Sequence, residues 1–397
     1  MSYSAFSAPL REKKSCRRQL KLKAKTTKRT IQIMNKNETI CPVIDSEIED
    51  ILFEKMQPIL DFLQKNEALP DSDLAFPIGT VTHDGRLDLC KQNLGIEGAA
   101  MIVDALQINQ NVKHLLLGTN KIGNEGAKFL SEIIRQNTAL QTLYLGCNNI
   151  EAEGAIAICE ALEENTDIKS LWFKRNPIGE KSVAALIHLL QKNKNIRTLD
   201  LVNTCLEDGF YALFDYFQAN KSVERLYLSG NYLKAAHLES IGELLAKNKT
   251  LRALFVSVNL FGDEGAQNLA KGLAQNDTLQ ELSIASCGIG GDGFVAIFKA
   301  LEGNKNLKYL DLSYTPSTKV LKSEANEMTN EAAEKLLFLL QKLPNLKYIN
   351  LTKTRLSAEY KAVFSNFQEK NIIFEGINTK NTFEAHQDSK AIKSVYR

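Results

Sequence analysis

One segment of the chain has the spacing of a site that could hold a dinucleotide. Residues 288–293, GIGGDG, match the pattern G-x-G-x-x-G between an expected strand and an expected helix, and Asp311 follows 18 residues after the last glycine. In dinucleotide sites such glycines let the backbone approach a pyrophosphate, and an acid binds the ribose. The second and third pattern glycines, however, stand where Gly123 and Gly126 stand in an earlier, similar segment. A recurring glycine pair indicates a structural turn, so we expect no nucleotide here.

The histidines and cysteines offer metal or nucleophilic chemistry only if the fold brings them together. The five His are scattered, and the seven Cys contain no C-x-x-C pair. Cys90, Cys147, Cys205 and Cys287 fall near expected strand ends, but no His beside them in sequence could act as a base. Motifs of serine hydrolases, zinc proteases and P-loop proteins are absent. We therefore predict no enzyme activity, no metal and no cofactor, and interpret the cysteines as reduced thiols.

The glycine pairs belong to a repeat of 28 residues, which dominates the sequence. LLLGTNKIGNEGAKFL from Leu115, LYLGCNNIEAEGAIAI from Leu143 and LWFKRNPIGEKSVAAL from Leu171 align with one another. Each unit combines an L-x-L strand with alternating pattern, a polar residue, an apolar plug and a helix of about a dozen residues. Ten such units occupy residues 85–374, with one interval of 27 residues and one of 39.

Two polar positions recur through the units. Three residues after the strand we predict an inward side chain that pairs with buried backbone groups of its own coil and the next, with looser coils where Thr or Cys replaces Asn. This column consists of Gln92, Asn120, Asn148, Asn176, Thr204, Asn231, Asn259, Cys287, Thr315 and Thr354. The second position is an Asn that follows each of the first eight helices, from Asn109 to Asn304, and we expect it to end the helix in the left-handed conformation. The ninth helix is expected to end at Leu343 and Pro344 instead.

The repeat resembles the ribonuclease-inhibitor-like subfamily of leucine-rich repeats. The subfamily motif is L-x-x-L-x-L-x-x-N-x-I-g-x-e-G-a-x-x-L-a-x-a-L-x-x-N, and residues 140–165 match it at nearly every position. The resemblance implies an α/β fold, a right-handed solenoid shaped as a horseshoe, with a parallel sheet on the concave face and helices on the convex face. It says little about function, because the family includes enzyme inhibitors, Ran GTPase-activating proteins and sensor regions of NOD-like receptors.

In such a fold the residue between the two strand leucines points away from the core, into the hollow. This outward column reads Asp88, Leu116, Tyr144, Trp172, Asp200, Tyr227, Phe255, Ser283, Asp311 and Asn350. Five consecutive strands thus place four large aromatic residues around one acid, which is the composition of a binding hot spot when Arg lies nearby. The alternative is that strands favour aromatic residues anyway. The predicted partner-binding residues are Tyr144, Trp172, Lys174, Arg175, Asp200, Arg225, Tyr227 and Phe255.

Four segments lie outside the regular units. Residues 1–34 carry ten Lys and Arg and one acid, and we interpret them as a disordered arm or a misassigned start, with a nucleic-acid-binding or targeting arm as the alternative. Residues 35–84 are expected to form a capping helix (46–66) and part of a hairpin. An insertion at about 313–329 is either a binding loop or a tolerated surface loop. Residues 375–397 are expected to be a polar, disordered tail.

Hydropathy and charge limit the possible function classes. No apolar run is long enough to span a membrane. Outside the basic arm the chain has 39 basic and 46 acidic residues. We expect a cytoplasmic, reducing compartment, or delivery to a host cell or an organelle through residues 1–34. The favoured function is a non-enzymatic scaffold or inhibitor that binds a protein partner on the concave face. The alternatives are a GTPase-activating protein of the Ran-activating type, whose acidic tail is missing here, and a bacterial effector or signalling adaptor.

Overall fold

The computed structural model of the protein describes residues 53–69, 71–367, 369–374 and 392. The chain divides into two compact units, Met1–Glu38 and Thr39–Arg397, and every described residue belongs to the second. The expectations for the basic arm, for residues 46–52 of the first helix and for nearly all of the C-terminal tail therefore lie outside the described residues.

Thirteen short strands of the described chain form one sheet, in which they follow sequence order. The first three strands pair antiparallel, and every pairing from β3 onward is parallel. The strands are β1 (Leu74–Ala75), β2 (Thr80–Val81), β3 (Arg86–Asp88), β4 (His114–Leu116), β5 (Thr142–Tyr144), β6 (Ser170–Trp172), β7 (Thr198–Asp200), β8 (Arg225–Tyr227), β9 (Ala253–Phe255), β10 (Glu281–Ser283), β11 (Tyr309–Asp311), β12 (Tyr348–Asn350) and β13 (Asn371–Ile373).

One helix follows each strand from β3 to β12, and this alternation confirms the predicted α/β solenoid. The described α-helices are α1 (Phe53–Lys65), α2 (Gly95–Leu106), α3 (Gly123–Gln136), α4 (Ala152–Leu162), α5 (Val183–Lys192), α6 (Gly209–Phe217), α7 (Ala235–Lys247), α8 (Gly262–Leu273), α9 (Gly291–Leu301), α10 (Asn330–Lys342) and α11 (Ala358–Phe364). Short 3₁₀ turns precede α5 at Glu180–Ser182 and α10 at Pro316–Thr318. Consecutive helices pack on one another in sequence order.

The core lies between the sheet and the helices and runs through the whole array. Strand alternation builds it, since neighbouring side chains of a strand point to opposite faces of the sheet. In β5, for example, Leu143 belongs to this core, whereas Tyr144 belongs to a separate apolar cluster on the other side. Helix α1 contributes Met56, Ile59 and Leu63 to the same core ahead of the first parallel strand.

The predicted polar column after the strands acts as a hydrogen-bond ladder. The Asn148 amide nitrogen donates to the carbonyls of Leu117 and Leu145 at 2.9 Å each, and its oxygen accepts the Asn120 N–H at 2.8 Å. The ladder is thereby confirmed, but its partners lie in the residue's own repeat and the preceding one rather than the next. Thr204 makes a single side-chain bond, from its hydroxyl to the Leu201 carbonyl at 2.9 Å.

The insertion changes which residue stands in this column. The sequence predicts Thr315 there, but the structure places Asn326 in the role. Its amide nitrogen donates to the carbonyls of Ile284 and Leu312, and its oxygen accepts the N–H groups of Cys287 and Ile289. The eleven extra residues therefore precede the ladder position instead of following it.

The inserted residues pack back on earlier repeats. The Ser323 hydroxyl donates to the carbonyls of Ser286 at 2.6 Å and Asn259 at 2.9 Å, and the Thr318 hydroxyl donates to the Ser286 hydroxyl. Leu321 is buried, while Val320 beside it remains exposed. The insertion is thus an ordered cover over the edge where strands β9 and β10 lead into their helices.

The asparagines after the helices do not adopt the left-handed conformation, so that expectation is wrong. Asn137 has φ −82° and ψ 125°, which is extended backbone. Its amide nitrogen donates to the carbonyls of Leu106 and Asn109, and its oxygen accepts the N–H groups of Ala139 and Leu140. These asparagines form a second ladder, because an extended residue can aim its amide at the preceding repeat while holding its own turn.

No helix of the described chain is long and apolar enough to cross a membrane.

Candidate functional site

Two columns of side chains line the face of the sheet that carries no helices. Strand register aligns the first column as predicted, from Asp88 through Tyr144, Trp172 and Asp200 to Asn350. The second column lies two residues earlier in each strand: Arg86, His114, Thr142, Ser170, Thr198, Arg225, Ala253, Glu281, Tyr309, Tyr348 and Asn371. Because the helices cover only the other side, we call this the helix-free face.

The four aromatic residues form a continuous row along this face. Ring centroids lie 6.3 Å apart for Tyr144 and Trp172, 5.0 Å for Trp172 and Tyr227, and 4.4 Å for Tyr227 and Phe255, which stack within 3° of parallel. Strands β6 and β8 are separated by β7 and hence by about 9–10 Å. The rings of Trp172 and Tyr227 must therefore lean together over Asp200, which is fully buried. We call these four residues the aromatic row.

The expectation that the whole row is exposed is wrong. Trp172 is 0% exposed and Tyr144 3%, whereas Tyr227 and Phe255 are half-buried. The physical reason is that Ile392, from the tail expected to be disordered, packs against Leu116, Tyr144 and Trp172. A residue far away in sequence thus covers one end of the row and leaves the other open.

Asp200 carries an unusual charge environment for a sheet residue. Its Oδ1 accepts the Val202 N–H at 2.8 Å, while its Oδ2 has no hydrogen-bond partner. Burial raises the pKa of Asp200 to about 6, against the opposing influence of Lys174, of the Val202 N–H and of Arg175. Burial also lowers the pKa of Lys174 despite the attraction of Asp200. Desolvation therefore outweighs attraction for both members of this pair.

Lys174 and Arg175 lie just past strand β6, after Phe173, and are both half-buried. The Lys174 carbonyl accepts the Cys147 N–H at 2.9 Å, and Arg175 donates its own N–H to the Val202 carbonyl at 2.7 Å. Arg175 has φ +56°, a left-handed conformation of the turn. The charge of Lys174 acts on Asp200, which lies between Trp172 and Tyr227 in the row, and the charge of Arg175 acts on it more weakly.

Arg225 is held at the open end of the row by bonds to Glu281 and to the Tyr227 hydroxyl. It donates to both carboxylate oxygens of Glu281, at 2.7 and 2.9 Å, although Ala253 occupies the strand between them. The small Ala253 side chain leaves room for this bridge. The guanidinium carbon lies 5.8 Å from the Tyr227 ring centre and 5.6 Å from that of Phe255. Burial opposes the Arg225 charge, but the interactions with Glu281 and Tyr227 together outweigh burial and raise its pKa.

Sequence reasoning missed Glu281, Ala253 and Ile392 as members of this site. Glu281 and Ala253 could have been predicted, because both share a sheet column with Arg225. In that column the small Ala253 stands between two residues of opposite charge. Ile392 had none, because no repeat or motif connects it to the strands.

The glycine segment at 288–293 serves the fold. The Asp263 carboxylate accepts the N–H groups of Gly290 at 2.6 Å and Gly293 at 3.1 Å, so the donors that would face a phosphate are already used. Asn124 accepts two N–H groups in the same way in an earlier repeat.

Within the described residues no group of three or more His, Cys, Asp or Glu is placed to hold a metal ion. The Cys287 thiol is buried and bonded to backbone carbonyls, and burial raises its pKa.

Comparison with known proteins identifies the repeats. Four segments match the family model described as Leucine Rich repeat, namely residues 109–131, 136–159, 247–270 and 275–298. No curated protein matches the chain in sequence. Among solved structures the chain is similar to Leiomodin-1 Actin-Binding Site 2 (ABS2), at 21% identity, with a TM-score of 0.24, over 34% of this chain and 75% of that one. A likeness this distant carries no argument about what the chain binds.

Proposed function

We propose that this leucine-rich-repeat chain is a non-enzymatic scaffold or inhibitor of the ribonuclease-inhibitor-like kind, which binds a protein partner on the helix-free face. The observation that carries the proposal is the aromatic row together with Arg225, whose guanidinium lies over the rings of Tyr227 and Phe255. Tyr, Trp and Arg are the residue types that most often dominate binding energy at protein interfaces.

The arrangement of the row also supports a protein partner. Tyr227 and Phe255 remain half-exposed and stacked, so a partner can cover them without first breaking their contact. Arg225 is already fixed by two bonds to Glu281, and its side chain loses little freedom on binding. Lys174 and Arg175 supply a cationic border, which fits the polar rim of an interface.

The proposed compartment is the reducing cytoplasm. The described cysteines (Cys90, Cys147, Cys159, Cys205 and Cys287) are all free thiols. Free buried thiols are typical of proteins that act where disulfides do not persist.

Quantitative affinity capture with matched variants tests the proposal. The double change Trp172→Ala, Tyr227→Ala is expected to weaken partner capture by about thirtyfold or more, since truncation of aromatic hot spots costs about 2 kcal/mol or more. The matched control is Tyr211→Ala, Phe338→Ala, which removes two exposed aromatic rings from helices α6 and α10. Melting temperatures show whether each variant is folded. Equal capture by both double variants, or loss only with the helix pair, would place the binding surface elsewhere.

A further inference from the structure

Ile392 is a branched aliphatic side chain seated among aromatic rings. It is 1% exposed and forms one apolar cluster with Leu116, Tyr144 and Trp172, against which Tyr227 also packs. Leu116, Tyr144 and Trp172 lie side by side in the first column of β4, β5 and β6. The seat for Ile392 therefore spans three consecutive repeats on the helix-free face.

This seat adds to the burial of Trp172. No helix covers the helix-free face in the described chain, and Tyr144 and Tyr227 flank Trp172 only from its two sides. Ile392 supplies an apolar contact to the ring in addition to these neighbours. The contact removes apolar surface of both side chains from water, which favours the covered state.

While Ile392 covers this end of the aromatic row, two buried polar atoms lack hydrogen-bond partners. Trp172 Nε1 and Asp200 Oδ2 are buried without a hydrogen-bond partner, and the two residues lie side by side in neighbouring strands. A buried polar atom without a partner opposes the state that buries it. A competing segment that pairs with these atoms, or opens them to water, removes this opposition. Burial of apolar side-chain surface therefore stabilises the Ile392 contact, whereas burial of the two polar atoms without partners destabilises it.

We propose that the aromatic row is a recognition site for a short peptide segment with a branched aliphatic anchor, and that Ile392 of this chain is its built-in occupant. A protein partner displaces Ile392 by presenting a similar anchor together with polar groups for Trp172 and Asp200. The inference rests on the proposed function, because it names the chemistry of the partner at the same site.

Trp172 provides a direct optical test, since it is the only Trp of the chain. In the full-length chain, Ile392→Asp places a charge in the apolar seat and is expected to shift Trp emission to the red and to increase quenching by acrylamide. The matched control is Ile108→Asp, the same change at a site that is 63% exposed, which is expected to leave both signals unchanged. Unchanged emission and quenching in a folded Ile392→Asp chain would overturn the proposal.

A synthetic peptide of residues 385–397 then tests recognition, because it contains no Trp. Added to full-length Ile392→Asp, it is expected to restore blue emission saturably. Its affinity for that variant should exceed its affinity for the wild-type chain by about tenfold or more, the factor expected from burial of one Ile side chain. A peptide carrying Asp in place of Ile392 should restore nothing. Equal binding of the native peptide to variant and wild type would overturn the built-in occupancy, as would wild-type emission that depends on protein concentration.

Partner capture separates this inference from the proposed function. If Ile392→Asp increases capture and Trp172→Ala, Tyr227→Ala abolishes it, both proposals stand. If capture requires the aromatic row but does not respond to Ile392→Asp, the site binds a partner and the built-in occupant is refuted. If partner capture is unchanged by Trp172→Ala, Tyr227→Ala while the peptide still binds to the aromatic row, the proposed function is refuted and the peptide-binding site stands.

Discussion

Replacing Asp200 by Asn should make the protein more stable at neutral pH, although it deletes a charge beside two cations. Asp200 is fully buried, its Oδ1 accepts the Val202 N–H, and its Oδ2 accepts nothing. An Asn side chain of the same shape keeps the bond to Val202 and has no charge to desolvate. The amide nitrogen that replaces Oδ2 is uncharged at every pH, so the pH-dependent part of the difference isolates the cost of burying the carboxylate.

The magnitude follows from the pKa of Asp200, which burial raises from 3.8 to about 6. A carboxyl whose pKa is raised on folding contributes stability below its unfolded pKa, and this contribution is lost as pH rises through the folded pKa. Each pKa unit corresponds to about 1.4 kcal/mol, so the charged form opposes folding by about 3 kcal/mol above pH 7. Asp200→Asn should regain this amount at pH 7.5 and almost nothing at pH 4.

Denaturant unfolding of both proteins between pH 4 and pH 8 measures the difference. The stability gap should open between about pH 4 and pH 6 and then remain constant. As a control, Asp215→Asn on the exposed side of helix α6 should change stability by less than about 0.5 kcal/mol throughout. A gap that is independent of pH, or a less stable Asp200→Asn at pH 7.5, would mean that Lys174 and Arg175 compensate the buried charge.

Two further predictions concern the ladder. Asn148→Ala removes four side-chain bonds to buried backbone groups, one of them long, and should lower the free energy of unfolding by about 3 kcal/mol, whereas Thr204→Ala removes one and should cost about 1 kcal/mol. Equal losses in denaturant titrations would contradict the ladder argument. Asn326→Ala should likewise lower the melting temperature well below that of Thr315→Ala, because only Asn326 bridges the two neighbouring coils. If Thr315→Ala is the more damaging change, the assignment of the ladder position is wrong.

The ladder shows what a repeat can and cannot predict. Spacing placed Asn148 and its equivalents correctly, because each lies at a fixed distance after its strand. At the insertion, counting forward from β11 led to Thr315. Counting back from the next strand leads to Asn326, which precedes Leu351 by 25 residues just as Asn148 precedes Phe173 by 25. The ladder residue was therefore predictable from the sequence, but only by counting back from the next strand, because that count does not cross the extra residues.

The predicted left-handed conformation of the asparagines after the helices was wrong for a different reason. A polar residue at a helix end fits both a left-handed cap and an extended residue whose side chain forms hydrogen bonds. Recurrence alone does not distinguish these conformations. The bonds of Asn137 to the preceding repeat decide for the second, and they depend on a neighbour that a single repeat does not contain.

The candidate site was predictable in its alignment but not in its exposure. Strand periodicity placed Tyr144, Trp172, Asp200, Tyr227 and Phe255 in one column, and the strand register agrees. Solvent exposure is a property of everything that packs on a surface. A contact made by one tail residue lies beyond any local pattern.

The distribution of unsatisfied atoms gives an independent reason to locate function at β6 and β7. The two asparagine ladders satisfy backbone groups on both sides of the strands in repeat after repeat. Yet of the five buried side-chain atoms of the described chain without a partner, four, in Ser170, Trp172, Arg175 and Asp200, lie in β6, in β7 or just after β6, and the fifth lies in β3. A fold that meets its hydrogen-bonding needs so regularly would gain stability from apolar residues there. Their concentration beneath the aromatic row is what selection for a binding surface, rather than for stability, would produce.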